Sequence, residues 1–376
     1  MNRDDEQPQN LQSHSFSSLP DEIIENILAR VSRYNYPSLS LVSKRFHSLL
    51  SSPQLYMTRS HIRTTEPCLY LCLKHSIDQP PRWYSLWMKS VGETLIEHEE
   101  DNHVLPRDDY SLFPVPSSSS NPLREPYYTS VAVGSELYVI GGSYKAPSSA
   151  VRILDCRTHT WRDGPSMLVA RWHVNVFLLD EKIYVMSHSR NEALDWIEVL
   201  DIKTQTWRHV RSHGADEFDR NGFVINVFEG KICAIASKKS YAYDPLESRW
   251  EVVEELPQYL KFIRAWCVIE DVKYCFTNSG DCKWYDSKAG DWIDVKGSDL
   301  KLMHRHRTCS LACRRAEMHN LGGKLLVMWT PVSLPGSRIW CAKMALEKRG
   351  SEVWGKIEWA NSVSQSCWFS SCVVSI

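Results

Sequence analysis

Four tryptophans set the frame for this chain. Trp161, Trp207, Trp250 and Trp292 recur at intervals of 46, 43 and 42 residues, and each has an aspartate six positions earlier: Asp155, Asp201, Asp244 and Asp286. A large apolar or aromatic residue precedes each aspartate, namely Leu154, Leu200, Tyr243 and Tyr285. An Asp carboxylate accepts backbone N–H bonds and so starts a turn, while a Trp beyond that turn fills the space between neighbouring sheets. Upstream of each such hairpin lie two short runs rich in β-branched residues. The first is Ser130–Val133, then Val174–Phe177, Val224–Val227 and Trp266–Ile269; the second follows a turn, at Leu137–Ile140, Ile183–Met186, Ile232–Ile235 and Val272–Cys275. Each unit thus holds four short strands, a to d, with no helix-period segment between them. Tandem four-stranded units of this length predict an all-β propeller.

The unit resembles the kelch repeat. Val139-Ile140-Gly141-Gly142 carries that family's apolar run and double glycine, where the later repeats have Met186-Ser187, Ala236-Ser237 and Thr277-Asn278. A fifth unit runs from about Thr308 to Trp359, with Gly322-Gly323-Lys324-Leu325-Leu326 as its second strand and Trp354 in the outer one. Cys68–Leu73 and Arg82–Leu86 read as strands b and c of a further blade, and the terminal Ser370–Ile376 has the pattern of strand a. The expectation is a kelch-type propeller of six blades over residues 63–376, closed by the C-terminal strand, which removes the open sheet edge. The Pro- and Ser-rich stretch Val104–Pro126 is read as a long connection.

The amino-terminal part has a different period. Residues 1–15 are polar and expected to be disordered. Pro20 suits the start of a helix, Asp21 and Glu22 face its positive end, and Ile23, Ile24, Ile27, Leu28 and Val31 share one stripe. A second helix is expected from Pro37, with Leu39, Val42, Phe46, Leu49 and Leu50 at helical spacing, and a third after Ser52-Pro53. Helices this few and short cannot bury so much apolar surface among themselves. Leu19-Pro20-Asp21-Glu22-Ile23-Ile24, then Leu41-Val42-Ser43-Lys44-Arg45-Phe46 and Leu49-Leu50-Ser51-Ser52-Pro53, resemble an F-box, placed at residues 16–62; the tract Ser32–Tyr36 departs from the family's usual turn. The resemblance implies a small all-α module that binds the Skp-type adaptor, and through it cullin, by Leu19, Pro20, Ile23, Ile24, Ile27, Leu28, Val42, Phe46 and Leu50. The order F-box then propeller resembles the F-box/kelch-repeat proteins of land plants.

Composition removes several alternatives. With 44 basic against 45 acidic side chains, bulk charge gives no reason to expect a nucleic-acid or anionic-membrane partner. No apolar run approaches the roughly 20 residues of a spanning helix, and the start Met1–Glu6 is not a secretory signal. Cysteines such as Cys233, Cys267 and Cys275 lie in strand-like runs as small hydrophobes, so a reducing compartment, cytosol or nucleus, is expected. Phosphate-loop, Gly-x-Ser-x-Gly and His-Glu-x-x-His patterns are missing. His304, His306, Cys309 and Cys313 are the best metal candidates, but without Cys-x-x-Cys spacing no metal is expected, and no cofactor. About 15 residues precede the F-box, too few for the light-sensing flavin domain that some F-box/kelch proteins carry.

Antiparallel blades place the b–c and d–a loops on one face. Those loops hold Tyr144, Lys145, His188, Arg190, Lys238, Lys239, Arg171 and Arg305, residue types suited to recognition on a rigid scaffold; Arg171 has the alternative of pairing inside a sheet crossing. By resemblance, kelch propellers bind protein partners through this face, and the cations suggest an acidic or phosphorylated segment. The expected function is a non-catalytic substrate receptor of an SCF-type ubiquitin ligase. The alternatives are an F-box scaffold or inhibitor outside such a ligase, and a propeller enzyme.

Overall fold

The computed structural model describes residues 18–76, 78–88, 110–117, 129–143, 146–172, 174–186, 197–210, 224–235, 239–255, 263–297, 313–331, 338–366 and 368–376. The expected disorder of residues 1–15 lies outside them. The chain divides into two units, Met1–Thr65 and Glu66–Ile376. Among the described residues no helix is long and apolar enough to cross a membrane.

The first unit contains α1 (Asp21–Leu28), α2 (Tyr36–Ser40), α3 (Lys44–Leu50) and α4 (Pro53–His61). One helix from Pro37 to Leu50 was the expectation; Ser43 divides it. Its backbone is extended and its Oγ accepts from the Phe46 N–H at 3.2 Å, so it caps α3. Ser52 caps α4 in the same manner. The core of the unit is Ile24, Leu28, Leu50, Leu55 and Tyr56, gathered around a buried arginine. Arg59 donates to the Ala29 and Val31 carbonyls (3.1 and 2.8 Å), the Tyr36 hydroxyl (2.9 Å) and the Thr64 carbonyl (2.6 Å). This places a cation where the orphan carbonyls of α1 end, as the helix dipole favours. Tyr36 closes the divergent 32–36 tract by donating to the Leu28 carbonyl at 3.0 Å.

The second unit is a six-bladed propeller of four-stranded antiparallel sheets. Blade I pairs β1 (Pro67–Lys74), β2 (Arg82–Met88) and β3 (Tyr110–Pro114) with the last strand of the chain. Blade II is β4 (Thr129–Val133), β5 (Glu136–Ile140), β6 (Val151–Asp155) and β7 (Thr160–Asp163). Blade III is β8 (Asn175–Leu179), β9 (Lys182–Met186), β10 (Ile197–Asp201) and β11 (Thr206–His209). Blade IV is β12 (Val224–Phe228), β13 (Lys231–Ile235), β14 (Lys239–Asp244) and β15 (Arg249–Glu255). Blade V is β16 (Ile263–Ile269), β17 (Val272–Thr277), β18 (Cys282–Asp286) and β19 (Asp291–Asp294). Blade VI is β20 (Cys313–Leu321), β21 (Lys324–Pro331), β22 (Arg338–Arg349) and β23 (Glu352–Gln365), and β24 (Trp368–Ser375) returns to blade I. Strand β3 lies inside the stretch expected to be a connection; a five-residue strand ending at Pro114 gives little periodic signal among prolines and serines.

The Asp–Trp hairpins work as their chemistry requires. Asp155 accepts from the Arg157 N–H, Asp201 from Lys203 and Thr204, Asp244 from Leu246 and Glu247, and Asp286 from Lys288. Trp161 and Trp207 donate to the Pro116 and Pro165 carbonyls, where the preceding blade ends (2.9 and 2.8 Å). Trp250 packs with Tyr184 and Met186 of blade III, and Trp292 with Ile235 of blade IV. The double glycine is also steric: a Cβ on Gly141 would lie 2.8 Å from Val174, and one on Gly142 would lie 2.4 Å from the Ala146 carbonyl.

A buried ion pair fixes the crossing from blade II to blade III. Glu198 on β10 accepts from Arg171 Nε and Nη2 (2.9 and 2.7 Å) and from the backbone N–H groups of Leu168 and Val169 (2.8 and 3.2 Å). Arg171 is 1% exposed, which corrects its assignment as a recognition residue: its guanidinium is occupied inside the sheet crossing. Glu198→Ala leaves a buried cation and two amides without their acceptor, so a loss of about 3–5 kcal/mol in stability is expected on urea denaturation. A loss under about 1 kcal/mol would show that water reaches the pair.

Candidate functional site: an apolar helical surface and a polar channel

The helical unit turns part of its apolar content outward. Ile23 and Ile27, one turn apart on α1, are exposed, as are Pro20 and Met57, and the α2–α3 turn presents Leu41 and Val42 at 86% and 65% exposure. Arg45, near the start of α3, donates to the Leu19 carbonyl (2.6 Å) and to Asp21 Oδ1 (2.7 Å). This ties the turn carrying Leu41 and Val42 to the first turn of α1. Large aliphatic side chains exposed together on so small a unit have the chemistry of docking surfaces in general.

The expected adaptor set is thereby sorted into two groups. Ile24, Leu28 and Leu50 are buried in the core of the unit, so their assignment to direct contact is corrected: they shape the surface from below. Pro20, Ile23, Ile27 and Val42 are exposed, and Leu19 and Phe46 are half-buried. Leu41 and Met57, which are not in the expected adaptor set, are exposed as well. Leu41 falls off the stripe only if α2 and α3 are read as one helix, and the serine that divides them was the available signal.

In the propeller, the first strands of the blades line a central cavity of about 620 Å³. Its most connected polar group is Glu317 on β20. One carboxylate oxygen accepts from Arg315 Nε and Nη2 (3.2 and 2.7 Å), and the other from the N–H (2.7 Å) and hydroxyl of Ser371 on β24. His319 Nε2 lies 2.7 Å from that hydroxyl. Arg315 also stacks over Trp368 and Phe369, at 5.2 and 5.4 Å from the ring centres. Burial alone pushes the Glu317 carboxyl up, but Arg315, His319 and Ser371 outweigh it and hold the pKa at about 2. The trio is not built as nucleophile, base and orienting acid, because the carboxylate accepts from the serine directly. It joins blade VI to the strand that closes blade I.

Of the expected recognition residues, Lys239 is half-exposed at the start of β14, while Tyr144, Lys145, His188, Arg190, Lys238 and Arg305 lie outside the described residues. His304, His306 and Cys309 lie outside them too. Among the described residues, no group of three or more His, Cys, Asp or Glu side chains is placed to hold a metal.

A four-helix unit with an outward aliphatic surface, followed by a six-bladed propeller, defines an F-box protein with a kelch-type propeller. Comparison with known families agrees: the F-box domain model matches residues 16–58, and the model described as FKB95, Kelch-repeats domain, matches residues 83–364. The chain is 46% identical over 376 residues to the F-box/kelch-repeat protein At5g39560 of Arabidopsis thaliana, covering 93% of this chain and 89% of that one. It is 42% identical over 380 residues to the F-box/kelch-repeat protein At4g19870 of the same plant, covering 96% and 93%. Among solved structures, one titled "Structure of YjhT" aligns with 64% of this chain and 99% of its own at a TM-score of 0.43 and 11% identity. The chain belongs to the F-box/kelch-repeat family, and this domain pair supports a substrate-adaptor role.

The Glu317 junction makes a pH-dependent contribution. Its folded pKa is depressed to about 2, so the unfolded chain takes up the proton first, and the stabilisation is present above the ordinary carboxylate range and lost as pH falls toward 2. Wild type is therefore expected to exceed Glu317→Gln in melting temperature at pH 6, with the gap closing between about pH 4.5 and 2.5. A gap unchanged across that range would contradict the depressed pKa.

Proposed function

We propose that this chain is the substrate-recognition subunit of an SCF-type ubiquitin ligase. The helical unit docks on a Skp-type adaptor, and through it on cullin, while the propeller holds a protein target. The reading assigns no bond-making step to the chain: its contribution is positioning, which raises the effective concentration of target lysines near the ubiquitin donor. The same reading puts its work in the cytosol or nucleus. The observation that carries the proposal is the exposed aliphatic set Ile23, Ile27, Leu41 and Val42, held together by Arg45 on a unit whose own core is already filled.

The test is capture of a Skp-type adaptor by the full chain. Full burial of one such side chain contributes about 1.5–3 kcal/mol, so Ile23→Asp/Val42→Asp is expected to weaken capture by about 100-fold or more. Thermal stability should hardly change, since both positions are on the surface. Ile24→Ala should instead destabilise the helical unit itself by about 2–5 kcal/mol. Undiminished capture by the double aspartate variant would remove the docking surface from the proposal.

A further inference from the structure

Among the described residues, two arginines, Arg264 and Arg315, line the central cavity toward the face of the b–c and d–a loops. The first strand of every blade starts there, and Ser370, Thr129, Asn175, Val224, Arg264 and Arg315, one from each blade, line the same cavity. Arg264 sits at a β-bulge, since the pairing of β16 with β17 shifts register between Ile263 and Ala265. Such a bulge re-aims a side chain out of the regular pleat. Arg264 is exposed, and among the described residues its hydrogen-bond partner is the neutral Asn278 Oδ1, at 3.3 and 3.4 Å. Arg315, on the adjacent first strand, is pre-arranged by Glu317 and by the Trp368 and Phe369 rings. Glu317 has no oxygen left for Arg264: one is taken by Arg315 and the other by Ser371. Among the described residues, the cavity lining thus holds two guanidinium groups and one carboxylate whose oxygens are already engaged.

We infer that this end of the cavity is an anion-binding subsite that takes a carboxylate or phosphate group from an acidic segment of the protein target. Arg264 supplies the charge that no described carboxylate engages, Arg315 a second, fixed guanidinium, and Asn175, half-buried in the same lining, a neutral hydrogen-bonding group. Planar forked donors of this kind suit oxyanions with two or more oxygens, whether an Asp or Glu side chain or a phosphorylated one. The inference rests on the target-binding reading above and narrows its substrate class. It draws on residues outside the recognition set expected from the sequence.

Fluorescence polarisation tests it, with the full chain against three labelled peptides of equal length: hexaglutamate, a phosphoserine-containing peptide and hexaglutamine. At least one anionic peptide is expected to bind about tenfold or more tightly than hexaglutamine, to weaken as salt is raised, and to lose that advantage in Arg264→Glu. The tighter of the two anionic peptides then identifies the oxyanion source. Arg264→Lys, which keeps the charge and loses the fork, should retain part of the preference. Equal binding of all three peptides, or an anion preference untouched by Arg264→Glu, would overturn the inference. Arg264 is exposed and has no carboxylate partner among the described residues, so its variants should melt as wild type does. Adaptor capture from the same samples separates the two readings: a chain that captures no adaptor yet shows Arg264-dependent peptide binding retains this subsite and loses the ligase assignment.

Discussion

The propeller depends on one pairing between distant parts of the chain. Strand β24, at the C-terminus, runs antiparallel to β1 over its whole length, from Pro67↔Ser375 to Lys74↔Trp368. Closing a loop of about 300 residues costs only slowly more than closing a short one, because the entropy grows with the logarithm of length. The eight-residue ladder, with Leu69, Leu71, Leu73, Phe369 and Val374 buried along it, works against that cost. Reciprocal hydrogen bonds between Glu66 and Ile376 extend the seam to the last residue (2.8 and 2.9 Å). The Glu317–Ser371 contact then joins blade VI to the returning strand. Strand β24 is thus the innermost strand of blade I, and it packs against the first strands of its two neighbours, β4 and β20.

Much of this was legible in the sequence because the determinants are local. An aspartate that starts a turn, a tryptophan six residues on and two β-branched runs before it describe a blade without reference to the rest of the chain. The F-box stripe was legible for the same reason. What escaped notice was non-local or carried by single residues. Strand β3 is short and flanked by proline, so only its pairing with β2 reveals it. Ser43 divides two helices through one hydrogen bond. Ile23 and Ile24 are adjacent in sequence and equally apolar, yet one is exposed and the other fully buried, a difference set by what packs beneath α1. Arg171 and Arg264 are both loop-proximal arginines by sequence; one meets a buried glutamate and the other a neutral amide, and no local pattern separates them.

The two units offer surfaces of opposite chemistry. The helical surface is aliphatic and built from short helices, of which α3 and α4 are capped by Ser43 and Ser52. The central cavity of the propeller is polar and charged, and the first strands of the blades line it. The division matches a substrate adaptor, in which one end is constant and the other discriminates.

Hydrogen–deuterium exchange of the full chain, with and without a Skp-type adaptor, tests the central assignment most directly. Adaptor-induced protection should be confined to α1, the Leu41–Val42 turn and α4, with the amides of β1 to β24 unchanged. Protection spread over the blades, with none in residues 19–57, would contradict the helical unit as the docking element.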